Sequence, residues 1–273
     1  MSDLTLLWRA VRAENRLFWR TPIGAFFTLG LPLIMLVLFV ALFGNGRIGQ
    51  TSYGPVTTAQ FYASGLAVFA AGSASYTNIA IGLTMRRDDG VLKRVRGTPI
   101  PPWVFMAGVI SSAVWIALVS VIVMVGVGVV AYDIEIQVEQ LPAMLVAFVV
   151  GTLCFASLGV GLASVARTAS SAPAIANATI LPLAFMSDVF IALEDPPAWL
   201  TLVGDVFPLK PFAVAFGNAM SPFVDGPAFE WDRLAVMGGW TVVGALVAWR
   251  RFRWEPLPNV RSSRSRRNRR ADA

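Results

Sequence analysis

The chain has 273 residues, 56% hydrophobic and 14% charged, with mean hydropathy +0.66 and a formal net charge of +6. Soluble domains carry about 25% charged residues, so the composition excludes a soluble enzyme and points to a helical membrane protein. Histidine is absent and Cys154 is the one cysteine, which removes the commonest metal ligand and general base and rules out an intramolecular disulfide.

Residues 4–20 are predicted to form an amphipathic helix. At about 100° per residue, Leu4, Leu7, Trp8, Val11 and Phe18 share one face, and Arg9, Arg12, Arg16 and Arg20 lie on the adjacent flank. That pattern fits a helix lying at the membrane interface; the alternative is a helix running straight on into the first span. The first apolar run begins after Trp19 and lacks a small-residue cleavage site, so it reads as a retained span rather than a cleaved leader.

Six apolar spans are expected, over residues 22–43, 60–83, 104–130, 141–165, 172–190 and 231–249. With both termini cytoplasmic, the inner segments hold 19 of the 22 Lys and Arg residues; the exceptions are Arg47, Lys210 and Arg233. Ten of the 16 acids fall outside, among them Asp133, Glu139, Glu194, Asp195, Asp205 and Asp225. This asymmetry is the positive-inside pattern. Residues 191–230 are apolar in pieces but broken by Pro196, Pro197, Pro208, Pro211, Pro222 and Gly226. Two readings stand: short re-entrant helices covered by protein, or a loop over the surface. The basic tail, residues 255–273, is charged and apolar-poor, and is expected to be disordered. Beside membrane spans its arginines suit orientation and anionic lipid rather than nucleic acid.

The loop RRDDGVLKRVRGTPIPPW, residues 86–103, stands between long apolar runs. Asp88 or Asp89 is predicted to cap a short helix. Val91, Leu92 and Val95 would supply an apolar side, with Lys93, Arg94 and Arg96 between them. Gly97 and Pro99 would end it. Such a helix could fit a groove on another protein; otherwise the loop is solvated and its arginines only orient the chain. The sequence has no G-x-x-x-x-G-K-[ST] phosphate loop, so nucleotide binding of that kind is not expected. Two stripes of small and polar residues complete the candidate sites. Ser64, Ala71, Ser75, Asn78 and Gly82 share a face of the second span. Ser170, Ala174, Asn177, Ala184 and Asp188 do so in the fifth. Such stripes serve helix packing; alternatively Ser64, Ser75, Asn78, Asn177 and Asp188 line a substrate path.

In order and spacing, the amphipathic N-terminal helix, the six spans, the loop DDGVLKRVRGTPIPPWVF and the later segment PPAWLTLVGDVFPLKPFAVAF resemble the type-2 (ABC-2) permease subunit of an ATP-binding cassette exporter. The similarity is to the daunorubicin-resistance type in particular and extends to about Trp254. The loop is similar to the family's RE-x-G-x-L-K-R-L-R-x-T-P segment, and the later region to its P-x-W-L and F-P-L elements. Where the family often has Ser-Gly after the apolar core of the fifth span, this chain has Ser187-Asp188. The resemblance implies an all-α transmembrane domain over residues 1–254, a homodimer or heterodimer of permeases, and two separate ATPase subunits that hold ATP and Mg. It implies that residues 88–98 are the coupling helix and 4–20 the interfacial connecting helix. It also implies export of a hydrophobic or amphipathic drug-like compound, although relatives move lipids and polysaccharides. A secondary carrier and a non-transporting scaffold are the readings from other classes.

Overall fold

A computed structural model of the chain describes residues 3–51, 54–98, 100–191, 196–222 and 226–255. The tail beyond Glu255, Pro99 and the acids Glu194, Asp195 and Asp225 lie outside the described residues. The chain is built almost wholly of helices: α1 (Asp3–Trp19), α2 (Pro22–Ala25), α3 (Leu31–Phe43), α4 (Thr58–Asp88), α5 (Val91–Arg96), α6 (Pro102–Tyr132), α7 (Leu141–Val165), α8 (Ser171–Met186), α9 (Ala198–Val206), α10 (Leu209–Asn218) and α11 (Trp231–Arg251). One small hairpin, β1 (Arg47–Thr51) with β2 (Gly54–Thr57), joins α3 to α4 and was not expected from the apolar periodicity.

Among the described residues, four helical segments are long and apolar enough to cross a membrane: Pro22–Phe43, Thr58–Asp88, Pro102–Tyr132 and Val138–Val165. The pair α9 and α10, bent by 87°, passes the same test taken together. By length and composition this makes four or five spans, not the six expected. The expected fifth span closes early: α8 stops at Met186 and has 16 residues, a rise of about 24 Å against a hydrocarbon core of ~30 Å. The expected sixth, α11, is long enough at 21 residues but carries Asp232 and Arg233 at one end and Arg250 and Arg251 at the other.

The body is organised around α4. Its side chains from Thr58 to Gly72 are all buried, because Ala, Gly and Ser recur on every side of the helix and let neighbours approach closely. α3, α6, α7, α8 and α10 all pack on it. A Cβ added at Gly159 of α7 would stand 2.7 Å from the Tyr76 carbonyl oxygen, so the α4–α7 crossing requires glycine. α11 in turn rests on α7, and a Cβ at Gly244 would lie 2.6 Å from Ser157 Oγ and 2.8 Å from the Leu158 nitrogen.

Pro22–Phe43 is not a uniform helix. Residues Phe26–Gly30 form a π-helical turn between α2 and α3. Pro32 has no N–H to donate to the Thr28 carbonyl, and the widened turn accommodates that loss.

The proline-broken region folds as helices rather than a surface loop. α10 is buried along almost its whole length, with Phe212 and Phe216 fully enclosed. Three glutamine amides satisfy the irregular backbone after it: Gln60 Nε2 donates to the Met220 carbonyl at 2.6 Å, Gln140 Nε2 to Ser221 at 3.0 Å and Gln137 Nε2 to Pro222 at 3.1 Å. Buried backbone without such partners would cost several kcal/mol per group in an apolar layer. Two of the three cations that broke the charge pattern are also accounted for. Arg233 Nη1 lies 2.7 Å from Asp205 Oδ1 and Lys210 Nζ lies 3.6 Å from the same oxygen.

The α7–α11 contact gives a paired test. Gly244→Ala should cost about 1–3 kcal/mol through overpacking and lower the thermal unfolding midpoint in detergent. Gly238→Ala, whose added carbon meets nothing within 4 Å, should raise the midpoint slightly, since alanine favours helix by about 1 kcal/mol.

Candidate functional site

α4 has 31 residues, about 46 Å of rise, and so outruns the hydrocarbon layer. Its C-terminal end, Arg86–Asp88, is charged at three successive residues and leads into α5. Asp89 caps the C-terminus of α4. Gly90 then adopts a left-handed φ of +70° and reverses the chain into α5, a conformation costing an ordinary L-residue about 1–2 kcal/mol.

Two expectations for this helix are corrected. Neither aspartate caps α5: its N-cap is Gly90, and Asp88 is the last residue of α4. Leu92 does not face outward; it is fully buried within the chain. An amphipathic helix anchored at both ends turns its largest apolar side chain toward its own domain. What α5 exposes is basic, namely Lys93, Arg94 and Arg96, with Val91 and Val95 half-buried.

The carboxylates act as braces instead. Asp88 Oδ2 accepts a hydrogen bond from the Ala169 N–H at 2.6 Å, in the turn between α7 and α8. The neighbouring Arg87 is 3% exposed. Its Nη1 donates to the Ala163 carbonyl at 2.9 Å, its Nη2 to Ala166 at 2.8 Å, and its Nε to Asp88 Oδ1 at 3.3 Å. The guanidinium thus closes the carbonyl end of α7, where the helix dipole favours a cation. Arg86, one residue earlier and about 100° around the helix, points the other way. It forms a two-pronged pair with Glu14 of α1, at 2.8 and 2.5 Å, and lies 5.9 Å over the Phe105 ring. The end of α4 is therefore tied to α1 on one side and to the α7–α8 turn on the other. Sequence reasoning passed over Arg86, Arg87 and Glu14; the signal that could have found the two arginines is their adjacency, which turns them about 100° apart and so toward different neighbours.

α1 is a separate element, broken from the first span at Thr21, whose hydroxyl donates to the Phe18 carbonyl at 2.8 Å. Its apolar face is divided. Leu7, Val11 and Phe18 are half-buried and Ala10 sits against Gly108 of α6, whereas Leu4 and Trp8 are exposed.

The five candidate path residues do not converge within one chain. Ser64 and Ser75 are buried in the packed side of α4. Asn78 lines a 480 Å³ cavity with Glu14, Thr21, Gly82 and Arg86, and its Nδ2 is 3.4 Å from Thr28 Oγ1. Asn177 is exposed on α8. Asp188 is buried and lies beyond the end of α8, off the helical stripe. Its φ is +53°, a left-handed position that glycine fills freely and Asp or Asn tolerates. Aspartate is thus among the few residues other than glycine that this position tolerates. A larger cleft, 910 Å³, opens between α3 and α8 with α4 as its floor. Phe39, Tyr62, Phe69, Phe185 and Phe190 form most of its wall, and Arg47 stands at one edge.

A polytopic helical membrane protein with a braced, basic hairpin tip between its second and third long helices is the class that fold and site define. Residues 5–220 match the ABC-2 type transporter family, and the chain belongs to it. The family is that of a transporter's membrane subunit rather than a nucleotide-binding domain, and its members normally work with ATP-binding cassette ATPase subunits. The chain is also similar to the daunorubicin resistance ABC transporter permease protein DrrB1 of Streptomyces coeruleorubidus, with 28% identity over 264 residues, 92% of this chain and 86% of that one.

Arg87→Met should leave the Ala163 and Ala166 carbonyls without their donor, at about 1–3 kcal/mol. The expected readout is a lower unfolding midpoint together with faster tryptic cleavage after the exposed Arg167. At the other end of α8, Asp188→Val should cost about 1–2 kcal/mol for its left-handed backbone; Asp188→Asn should cost less in the same thermal assay.

Proposed function

We propose that the chain is the permease subunit of an ATP-driven exporter that effluxes a hydrophobic or amphipathic drug-like compound. It works with a second permease subunit and with separate ATPase subunits that bind ATP and Mg. In this reading the chain makes six passes, with α8 and α11 completing the count, and both termini are cytoplasmic. α9 and α10 dip into the outer leaflet. α5 is the helix on which an ATPase subunit docks, and α1 lies at the inner interface.

The observation that carries the reading is α5 itself, in a chain of this family: exposed cations on a short helix whose base is fixed to α7 by Arg87 and Asp88. A helix held this way can pass a push from a docked partner into the bundle. The charge asymmetry supports the orientation. The substrate class is supported by the resistance permease similar to this chain and by the aromatic cleft. Its 910 Å³ fits one drug-sized molecule, and its lateral opening beside α3 and α8 suits closure by a second permease. A polysaccharide would ask for more polar walls than Arg47, Thr58 and Tyr62 supply.

The test is co-expression with an ATP-binding cassette ATPase subunit from the same genome, then co-purification and daunorubicin efflux from inverted vesicles with ATP. Replacing Lys93, Arg94 and Arg96 with Gln is expected to reduce ATPase co-purification and efflux about tenfold or more, with membrane insertion unchanged. Full co-purification of that variant would remove α5 as the docking element. ATP-independent efflux by the unmodified protein would favour a secondary carrier instead.

A further inference from the structure

A second groove, 730 Å³ in volume, lies between α1 and α6, away from the hairpin tip and the aromatic cleft. Arg12 and Arg16 of α1 and Arg20, just past its end, line it at four-residue spacing, a row about 12 Å long. None of the three guanidiniums has an acid or hydrogen-bond partner among the described residues, in contrast to Arg86 and Arg87. Three exposed indoles, Trp8, Trp19 and Trp115, share the groove, and Ser111 leaves its α6 wall low.

A row of unpaired arginines beside an apolar wall has a specific chemical complement. Guanidinium forks bind phosphate oxygens with paired hydrogen bonds. Tryptophans settle at the headgroup level of a bilayer, which is where an α1 carrying both residue types would rest. Basic pockets between helices on the inner face are suited to anionic headgroups. We infer that this groove binds an anionic phospholipid, its phosphodiester on Arg12, Arg16 and Arg20 and an acyl chain along Trp115 over Ser111. Because α1 is also joined to α4 through Glu14 and Arg86, the bound lipid would hold α1 against the bundle. The inference requires only that the chain sits in a membrane, and stands whether or not the chain exports anything.

The full-length protein in nanodiscs tests it, with tryptophan quenching by brominated phosphatidylglycerol compared with brominated phosphatidylcholine. Phosphatidylglycerol is expected to be preferred about a hundredfold, each of the three arginines contributing about fivefold. Replacing Arg12, Arg16 and Arg20 with Gln should abolish the preference. Ser111→Phe, which fills the groove and leaves the charge alone, should also reduce it severalfold. Replacing Arg250 and Arg251 with Gln should leave it intact. Should the triple variant fail to fold, Arg16→Gln, with a loss of about fivefold, and Ser111→Phe carry the test. A preference that survives the arginine changes overturns the inference. So does one lost equally in the Arg250/Arg251 variant, or one untouched by Ser111→Phe, since either describes a diffuse charge effect rather than a site.

Discussion

A buried guanidinium at the end of α4 sets the geometry of the hairpin tip. Burying the Arg87 guanidinium to 3% exposure is costly without partners, and it finds them in the last carbonyls of α7 and in Asp88. Asp88 then holds the Ala169 N–H. The position of α5 follows, because only Asp89 and Gly90 separate it from this bracket. The bracket depends in turn on α4 and α7 lying close together, which Gly159 permits by letting the two backbones meet. Small residues in the apolar layer and one cation beyond it are thus two parts of one device. The first brings the helices together, and the second fixes their ends.

The same economy governs the other end of the bundle. Chain broken by prolines leaves carbonyls that water cannot reach, and side-chain amides from α4 and from the entry to α7 supply the missing donors. Asp205 gathers Arg233 and Lys210 into one cluster. Such pairing balances two of the cations that the charge pattern left as exceptions. At both ends, polar groups beside the apolar layer are spent on holding helices in place. The basic face of α5 and the aromatic cleft beside α3 and α8 stay open.

Much of this was legible in the sequence. Apolar runs located α3, α4, α6 and α7, and the α7 bounds agree with the structure at both ends. For the N-terminal helix and the proline-broken region the sequence left two readings each; the structure shows a helix separate from the first span and short helices among the prolines. The candidate path was less so. Ser64, Ser75 and Asn78 share a face at helical spacing, yet spacing alone does not say which neighbour covers that face. On α8, Asp188 fell out of the stripe because the helix ends two residues before it. The hairpin tip misled for a related reason. Asp88 and Asp89 precede a helix, as capping residues do, but they also end a longer one.

The sequence by itself determined that this is a multi-pass helical membrane protein of the ABC-2 type, since hydropathy and motif order are local properties that survive without coordinates. It also determined that the exposed chemistry near residue 90 is basic. Only the tertiary structure decided which way each side chain at that tip faces. Leu92 turns inward, Arg86 reaches α1 and Arg87 reaches α7 because each contact lies more than 70 residues away along the chain or depends on packing that such contacts create. Periodicity places a residue on a face of its helix; what that face meets is settled by the close approach of helices, here set by glycines at their crossings.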